Sequence, residues 1–549
     1  MSQNYTYKKL LFGFLLFFSI QIYSQDILWE KSYGGKHAEY LFDAIPTPDY
    51  GFILAGSSIS NKNGNKSDNN KGDLDYWVWK MDERGGLDWQ KSFGGSGTDL
   101  LQSITLTNDG GFILAGASTS NKSEDKKNDS NGDSDFWIIK LDAKGGIMWQ
   151  KTIGGAGQEK LQSIACTKDG GYIIGGSSSS DKNTFSKEGN SLYQKSENSR
   201  GNLDYWVVKL SANGTPEWQK TIGGKYFDEL KSIEQTIDGG YILGGYSNSP
   251  ISGDKTADNF GLGDYWIVKL DETGNISWQK TIGGDKDDNL FTLIQTKDKG
   301  FLLGGNSNSN ATNSKKKGNG KGTDFWVVKL DESGEILWQE TYDYGKTDVL
   351  TSIVENEDHT FLIGGYAQSE ASRTSASKNG ITGKFTQTSD KEGINDYIAL
   401  KIKDNGEEIW TQTVGSKGDE VMNKLLETRD GGYLLAGTSK GEQSRDKASS
   451  IGGNDFWVVK LKDKAKKEKT KVAIEAYPNP AESFTNTLVN YDYSDGWATL
   501  YDLNGRQLQK IELHGEHTIP IQLHNLPQGI YIVNIKTNNG ENSLKIIKK

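Results

Sequence analysis

Between residues 25 and 461 short apolar runs alternate with polar punctuation in a unit that returns about every sixty residues. In one unit the runs fall at residues 101–107, 111–117, 135–141 and 146–152, each four to eight residues long and rich in β-branched or aromatic types. That length and composition predict strands, since a helix of comparable burial needs a longer run at a 3.6-residue period. Asn108-Asp109-Gly110-Gly111 and Asp142-Ala143-Lys144-Gly145-Gly146 supply the positive-φ residues of tight hairpins between the first and second and the third and fourth runs. The unit reads as a four-stranded antiparallel meander.

Tryptophan marks the repeat. Trp29, Trp89, Trp149, Trp218, Trp278, Trp338 and Trp410 are spaced by 60, 60, 69, 60, 60 and 72 residues, giving seven units. A second series, each member preceded by an aromatic residue, runs Trp77, Trp137, Trp206, Trp266, Trp326 and Trp457, with Ile398 in the remaining place after Tyr397. Full burial of one indole is worth on the order of 4–6 kcal/mol, which makes these residues blade anchors. The phase is informative too. Residues 27–31 read as a fourth strand with no first three before it, and residues 455–461 as a third strand lacking a fourth. Joining the two ends completes a seventh blade and hides its open edges. The expected fold is therefore all-β: a closed seven-bladed β-propeller at residues 25–461, a charged linker at 462–471 and a small β-sandwich at 472–549.

Composition narrows the function. With 63 basic against 73 acidic residues the net charge is −10, so the broad positive field that holds nucleic-acid phosphates is missing. The single cysteine, Cys166, permits no internal disulfide and occupies a position held by Leu106, Gln235 and Gln295 in other units, which argues against a catalytic thiol. Lys8 and Lys9 precede an apolar stretch at residues 10–22 and the small Ser24, the pattern of a secretory signal peptide spanning residues 1–24. Thirteen apolar residues are too few to cross a bilayer of about 30 Å, so no transmembrane segment is expected in the mature protein.

In such a meander the second-to-third connections share a rim with the links between units, opposite the tight glycine turns. The long variable stretches are all second-to-third connections and define the expected binding face. Ten residues after each member of the first tryptophan series stands an acid: Glu39, Asp99, Glu159, Asp228, Asp288, Asp348 and Glu420. Ring closure would set them as a sevenfold carboxylate ring on that face. It reads either as a cation-attracting mouth or as carboxylates accepting N–H groups of their own Gly-Gly loops. An aspartate also opens every third strand: Asp75, Asp135, Asp204, Asp264, Asp324, Asp396 and Asp455. Asp129, Asn131, Asp133 and Asp135 offer alternating oxygens that suit calcium, without the closing glutamate of a calcium loop. No other cofactor is implied, and neither His37 nor His359 belongs to a zinc or nucleophile motif.

Two resemblances follow from quoted residues. The hairpin from Lys329 to Trp338, with Asp331-Glu332-Ser333-Gly334 at its turn, resembles the tryptophan-docking repeat of the pyrroloquinoline-quinone-type propellers; the adjacent cysteines of the quinone enzymes have no counterpart here. Tyr477-Pro478-Asn479-Pro480, then Gly505-Arg506 after Leu503-Asn504, then Gly529-Ile530-Tyr531, then Lys545 near the end, resemble the type A C-terminal sorting domain of the type IX secretion system. That resemblance implies export across both membranes to the cell surface or beyond, with the translocon and sorting machinery as partners of residues 472–549. The reading for the propeller is a non-catalytic module, an adhesin or scaffold, that binds a protein or glycan ligand. The alternative is a polysaccharide-degrading enzyme with a carboxylate pair at the propeller face.

Overall fold

The computed structural model describes residues 25–182, 191–319, 322–368, 395–464, 466, 472–477, 479–481 and 484–549. The expected leader, residues 1–24, and Pro478 lie outside them. The described chain is all-β apart from one short 3₁₀ turn at Ser191–Tyr193. Its strands form eight four-stranded sheets and one three-stranded sheet.

Seven of the four-stranded sheets come from residues 26–462, and each is an antiparallel meander. The unit read from sequence contains Asp99–Leu106, Phe112–Ser118, Asp135–Leu141 and Ile147–Ile153. Gly110 and Gly145 hold φ of 81° and 82° at its two tight turns, a region that costs an L residue energy and glycine none. One sheet is composite: Asp26–Tyr33 pairs with Asp455–Lys462, which in turn pairs with Tyr433–Ser439. Two ends of the chain more than four hundred residues apart thus share one sheet.

The two tryptophan series do different jobs. Trp77, Trp137, Trp206, Trp266, Trp326 and Trp457 are 0% exposed, sealed between sheets. Each meets the aromatic that follows the opening aspartate of the neighbouring third strand: Phe136–Trp206 at 4.8 Å, Tyr205–Trp266 at 4.9 Å and, across the composite sheet, Phe456–Trp77 at 4.7 Å between centroids. The first series is only half-buried except for Trp410, so the full-burial energy does not apply to it. These indoles lie over the glycine of the next sheet's outer turn, Trp89 on Gly145, Trp218 on Gly274 and Trp278 on Gly334, where a methyl group would sit 2.9–3.1 Å from the ring.

The opposite rim is fastened by charge. A third-strand lysine reaches the aspartate of the first hairpin turn in every sheet, as in Lys140–Asp109 at 2.8 Å and Lys329–Asp298 at 2.8 Å.

The remaining strands form a three-stranded sheet (Ile474–Tyr477, Phe484–Val489, Thr518–Gln522) and a four-stranded sheet (Gln507–Leu513, Gly496–Asp502, Gly529–Thr537, Gly540–Lys548). Leu500, Val533, Ile535, Ile546, Ile519 and Ile521 join them in one core. Arg429, on a tight turn of the composite sheet, bridges to this part. Its guanidinium lies 4.3 Å from the Tyr50 ring and 4.6 Å from that of Tyr477, and pairs with Glu475 at 3.1 Å. A hollow of about 580 Å³ is lined by Thr105, Cys166 and Glu234 of the repeated sheets and by Pro480, Phe484 and Lys549. Such a sandwiched cation contributes about 1–2 kcal/mol. Arg429→Ala is expected to speed trypsin cutting between residues 462 and 474 about tenfold, with the seven sheets unchanged by circular dichroism; an unchanged cutting rate would mean the contact carries no weight.

Candidate functional site

The loop-rich rim is built on buried charge. Glu39, Asp99, Glu159, Asp228, Asp288, Asp348 and Glu420 are all 0% exposed, so none faces solvent. Each accepts the backbone N–H of the residue four before it: Gly35 to Glu39 at 2.9 Å, Gly95 to Asp99 at 2.7 Å, Gly155 to Glu159 at 3.0 Å, Gly224 to Asp228 at 2.7 Å, Gly284 to Asp288 at 2.7 Å, Tyr344 to Asp348 at 2.6 Å and Ser416 to Glu420 at 3.0 Å. Serine hydroxyls add to this, as Ser249 does to Asp228 at 3.0 Å and Ser309 to Asp288 at 2.9 Å. The third-strand aspartates are buried as well and fold the long loop back. Asp75 accepts the Lys71 N–H at 2.6 Å, and Asp264 that of Phe260 at 2.6 Å.

The residues considered for calcium are used in the same way. The Ser130 hydroxyl donates to Asp135 at 2.6 Å and the Asn131 N–H donates to the same oxygen. Asp129 accepts the Lys122 N–H at 2.9 Å, and the Asp133 N–H donates to Gly157. Cys166, half-buried, points its thiol at the Leu106 carbonyl, and burial pushes its pKa up to about 11. Such a thiol stays protonated.

Two repeated residues escaped the reading of the sequence. A loop lysine (Lys66, Lys126, Lys195, Lys255, Lys315, Lys447) is at most 2% exposed in six sheets and lies among the first- and third-strand carboxylates of its own sheet. The second is the glutamine that follows five of the six half-buried indoles. Gln90, Gln150, Gln219, Gln279 and Gln339 each accept the third-strand indole N–H at 3.1–3.3 Å. Each also donates to a loop carbonyl at 2.7–2.9 Å. The signals were present as a Trp-Gln pair and as a lysine nine residues before the aspartate in five of the six, but neither says what it touches.

Burial raises the Asp75 pKa to about 6, with Asp99 adding to it, and the Asp264 pKa to about 7, with Asp288 adding to it. Burial lowers Lys195, Lys255 and Lys315 to about 8. The folded state therefore holds carboxyl protons that the unfolded chain has released, and stability falls as pH rises from about 4 to 8. Above about 8 the unfolded chain keeps lysine protons that the folded state gives up, so stability recovers toward 10. Each group contributes at most about 1.4 kcal/mol per pH unit. A minimum near pH 8 is expected in urea midpoints at constant ionic strength, and Asp264→Asn should flatten the acid limb; a midpoint rising steadily from pH 5 to 8 would contradict this.

In the C-terminal part, Asn479 accepts the Ile547 N–H at 2.9 Å and donates to the Lys545 carbonyl at 2.8 Å. Gly505 turns with φ 78° and Arg506 pairs with Asp502 at 3.2 Å. Pro480 lines the hollow described above, Gly529 opens the strand Gly529–Thr537, and the Tyr531 hydroxyl donates to the Pro527 carbonyl at 2.6 Å.

The molecule is thus an all-β protein of repeated four-stranded antiparallel sheets with a distinct C-terminal element. Residues 475–549 match the secretion system C-terminal sorting domain, which makes the chain cargo of type IX secretion, handled by that machinery and exported to the cell surface or extracellular space. Regulatory protein FlaEY of Caulobacter vibrioides is 24% identical over 196 residues, 35% of this chain and 20% of that protein, so the chain spans about a fifth of that relative. Among solved structures, a fungal alcohol oxidase in complex with copper is similar at 11% identity and a TM-score of 0.39, covering 96% of this chain and 100% of that one. An apocarotenoid oxygenase mutant from Synechocystis is similar at 12% identity and a TM-score of 0.35, covering 80% and 95%. Among the described residues no helix is long and apolar enough to cross a membrane.

Proposed function

We propose that residues 25–461 form a closed seven-bladed propeller that type IX export delivers outside the cell, where its loop-rich rim binds a protein or glycan without catalysis. Closure is supported by the shared sheet of Asp26–Tyr33 and Asp455–Lys462 and by contact between the first strands Glu39–Pro46 and Glu420–Glu427. The observation that carries the binding role is a group of exposed large apolar residues on this rim. Leu192, Tyr226, Phe227, Ile251, Phe260 and Leu262, 41–66% exposed, stand on the loops of two successive sheets and on the link between them. Exposed aromatic and aliphatic side chains above a rigid polar base are what a recognition surface needs and what solubility alone disfavours.

The test is binding and turnover of the purified protein on arrays of polysaccharides and surface proteins, alongside a variant with residues 250–262 replaced by a short Gly-Ser link. Binding that the trimmed protein loses supports the reading. Binding that the trimmed protein retains, or release of products, would overturn it.

A further inference from the structure

One junction between sheets breaks the repeat. After the fourth strand, six sheets have glycine at Gly34, Gly94, Gly154, Gly223, Gly283 and Gly415; the equivalent residue after Ile336–Tyr342 is Asp343. The glycine is not incidental. A Cβ placed on any of the six would fall 1.6–2.5 Å from the third-strand aspartate Oδ1 of its own sheet. Among the described residues, only at residue 343 does a third carboxylate bring an oxygen within 4.8 Å of the buried pair, here Asp324 and Asp348.

The neighbouring departure has a structural explanation that does not extend to Asp343. Tyr344 replaces the second glycine, and its ring fills space beside Phe325 (5.5 Å, edge-on) and Ile398, where every other sheet seats a tryptophan. Asp343 fills nothing and is itself exposed. It adds negative charge beside two carboxylates that are already buried. Among the described residues no lysine or arginine makes an ion pair with Asp343 or Asp348. Asp348, 0% exposed, gives one oxygen to the Tyr344 and Gly345 N–H groups, while its Oδ1 is buried with no hydrogen-bond partner. Asp99, Asp228 and Asp288 leave the same oxygen without one, but each is paired across the strands with a serine, Ser118, Ser247 and Ser307, whereas Asp348 is paired with Ala367. A buried carboxylate oxygen without a donor, beside two further carboxylates with one open to solvent, is a coordination set waiting for a cation.

We propose that Asp324, Asp343 and Asp348 bind one divalent cation of the calcium class at the junction between the fifth and sixth sheets in chain order. All-carboxylate ligation selects a hard cation, and the exposed face leaves room for the waters that complete six to eight oxygens. The site differs from the residues 129–135 considered earlier.

The experiment uses the whole purified chain, stripped with EDTA and dialysed, then titrated with CaCl₂ by calorimetry and with Tb³⁺ by luminescence excited through Tyr344. One calcium with a dissociation constant of about 10⁻⁴ M, and a thermal midpoint that rises on adding it, are expected. Asp343→Gly installs the residue that six equivalent positions already carry, so it should fold. It should weaken calcium binding at least tenfold, abolish the Tyr-sensitised terbium signal and unfold at a higher temperature than the parent in EDTA. Asp343→Asn should bind more weakly than the parent while keeping the side-chain volume. No heat and no thermal shift with Ca²⁺, Mg²⁺ or Mn²⁺ at millimolar concentration would overturn the proposal, as would undiminished binding by Asp343→Gly.

Discussion

Trp206→Ala should lower the folding free energy by about 3–5 kcal/mol, among the largest effects a single substitution in this chain can have. The indole is 0% exposed, stacks on Phe136 at 4.8 Å and sits among Ile113, Ile138, Ile174 and Val208 of two sheets. Its N–H also holds Gln219 at 3.1 Å, so the loop behind it loses an anchor when the indole goes. The protein itself shows what accommodating a smaller residue takes. At Ile398 the missing indole is offset by Tyr344, brought in from the link between sheets, and the glutamine becomes Thr411, which meets the Tyr344 hydroxyl at 3.3 Å. Position 206 has no such replacement, since its link carries Gly154-Gly155. A urea titration of the variant reads the cost, and a midpoint within error of the parent would show that neighbouring sheets close over the gap.

Removing residues 26–33 should be more damaging, by at least about 5 kcal/mol, with loss of a monomeric peak on size exclusion. The deletion takes away Tyr33, which is 4% exposed and donates to the Gly85 carbonyl at 2.8 Å, and Trp29, which lies on Gly85 and donates to the Glu83 carbonyl at 3.2 Å. It also strips the partner from Asp455–Lys462 and leaves an unpaired edge ready to recruit another chain. A truncated protein that stays monomeric and unfolds at the parent midpoint would show that the composite sheet adds nothing.

Much of this architecture was legible because its causes are local and repeated. A glycine turn needs glycine, an inter-sheet contact needs a large flat side chain, and both recur at a constant period whatever the loops do. The phase of the repeat even placed the first strand beside the last. The rim was harder to read, because charge ordinarily signals solvent. Here fourteen first- and third-strand acids are buried, and the first-strand seven are each held by a backbone N–H, with hydroxyls and loop lysines scattered in sequence around them. Lys255 and Asp228 are neighbours only because a loop of unremarkable composition folds back by way of Asp264. The importance of Asp343-Tyr344 could not be seen at all without knowing that Ile398 lies across from it.

The loops are fixed at their feet, by a buried lysine and by a glutamine that both gives and accepts a hydrogen bond, and these fixings use backbone atoms of the loop. A grip on backbone is indifferent to the side chains beyond it. Natural variation can therefore rewrite the outer part of one loop without renegotiating the fold or disturbing the next. The scaffold behaves as a frame with interchangeable inserts, and new specificity can be gained one insert at a time.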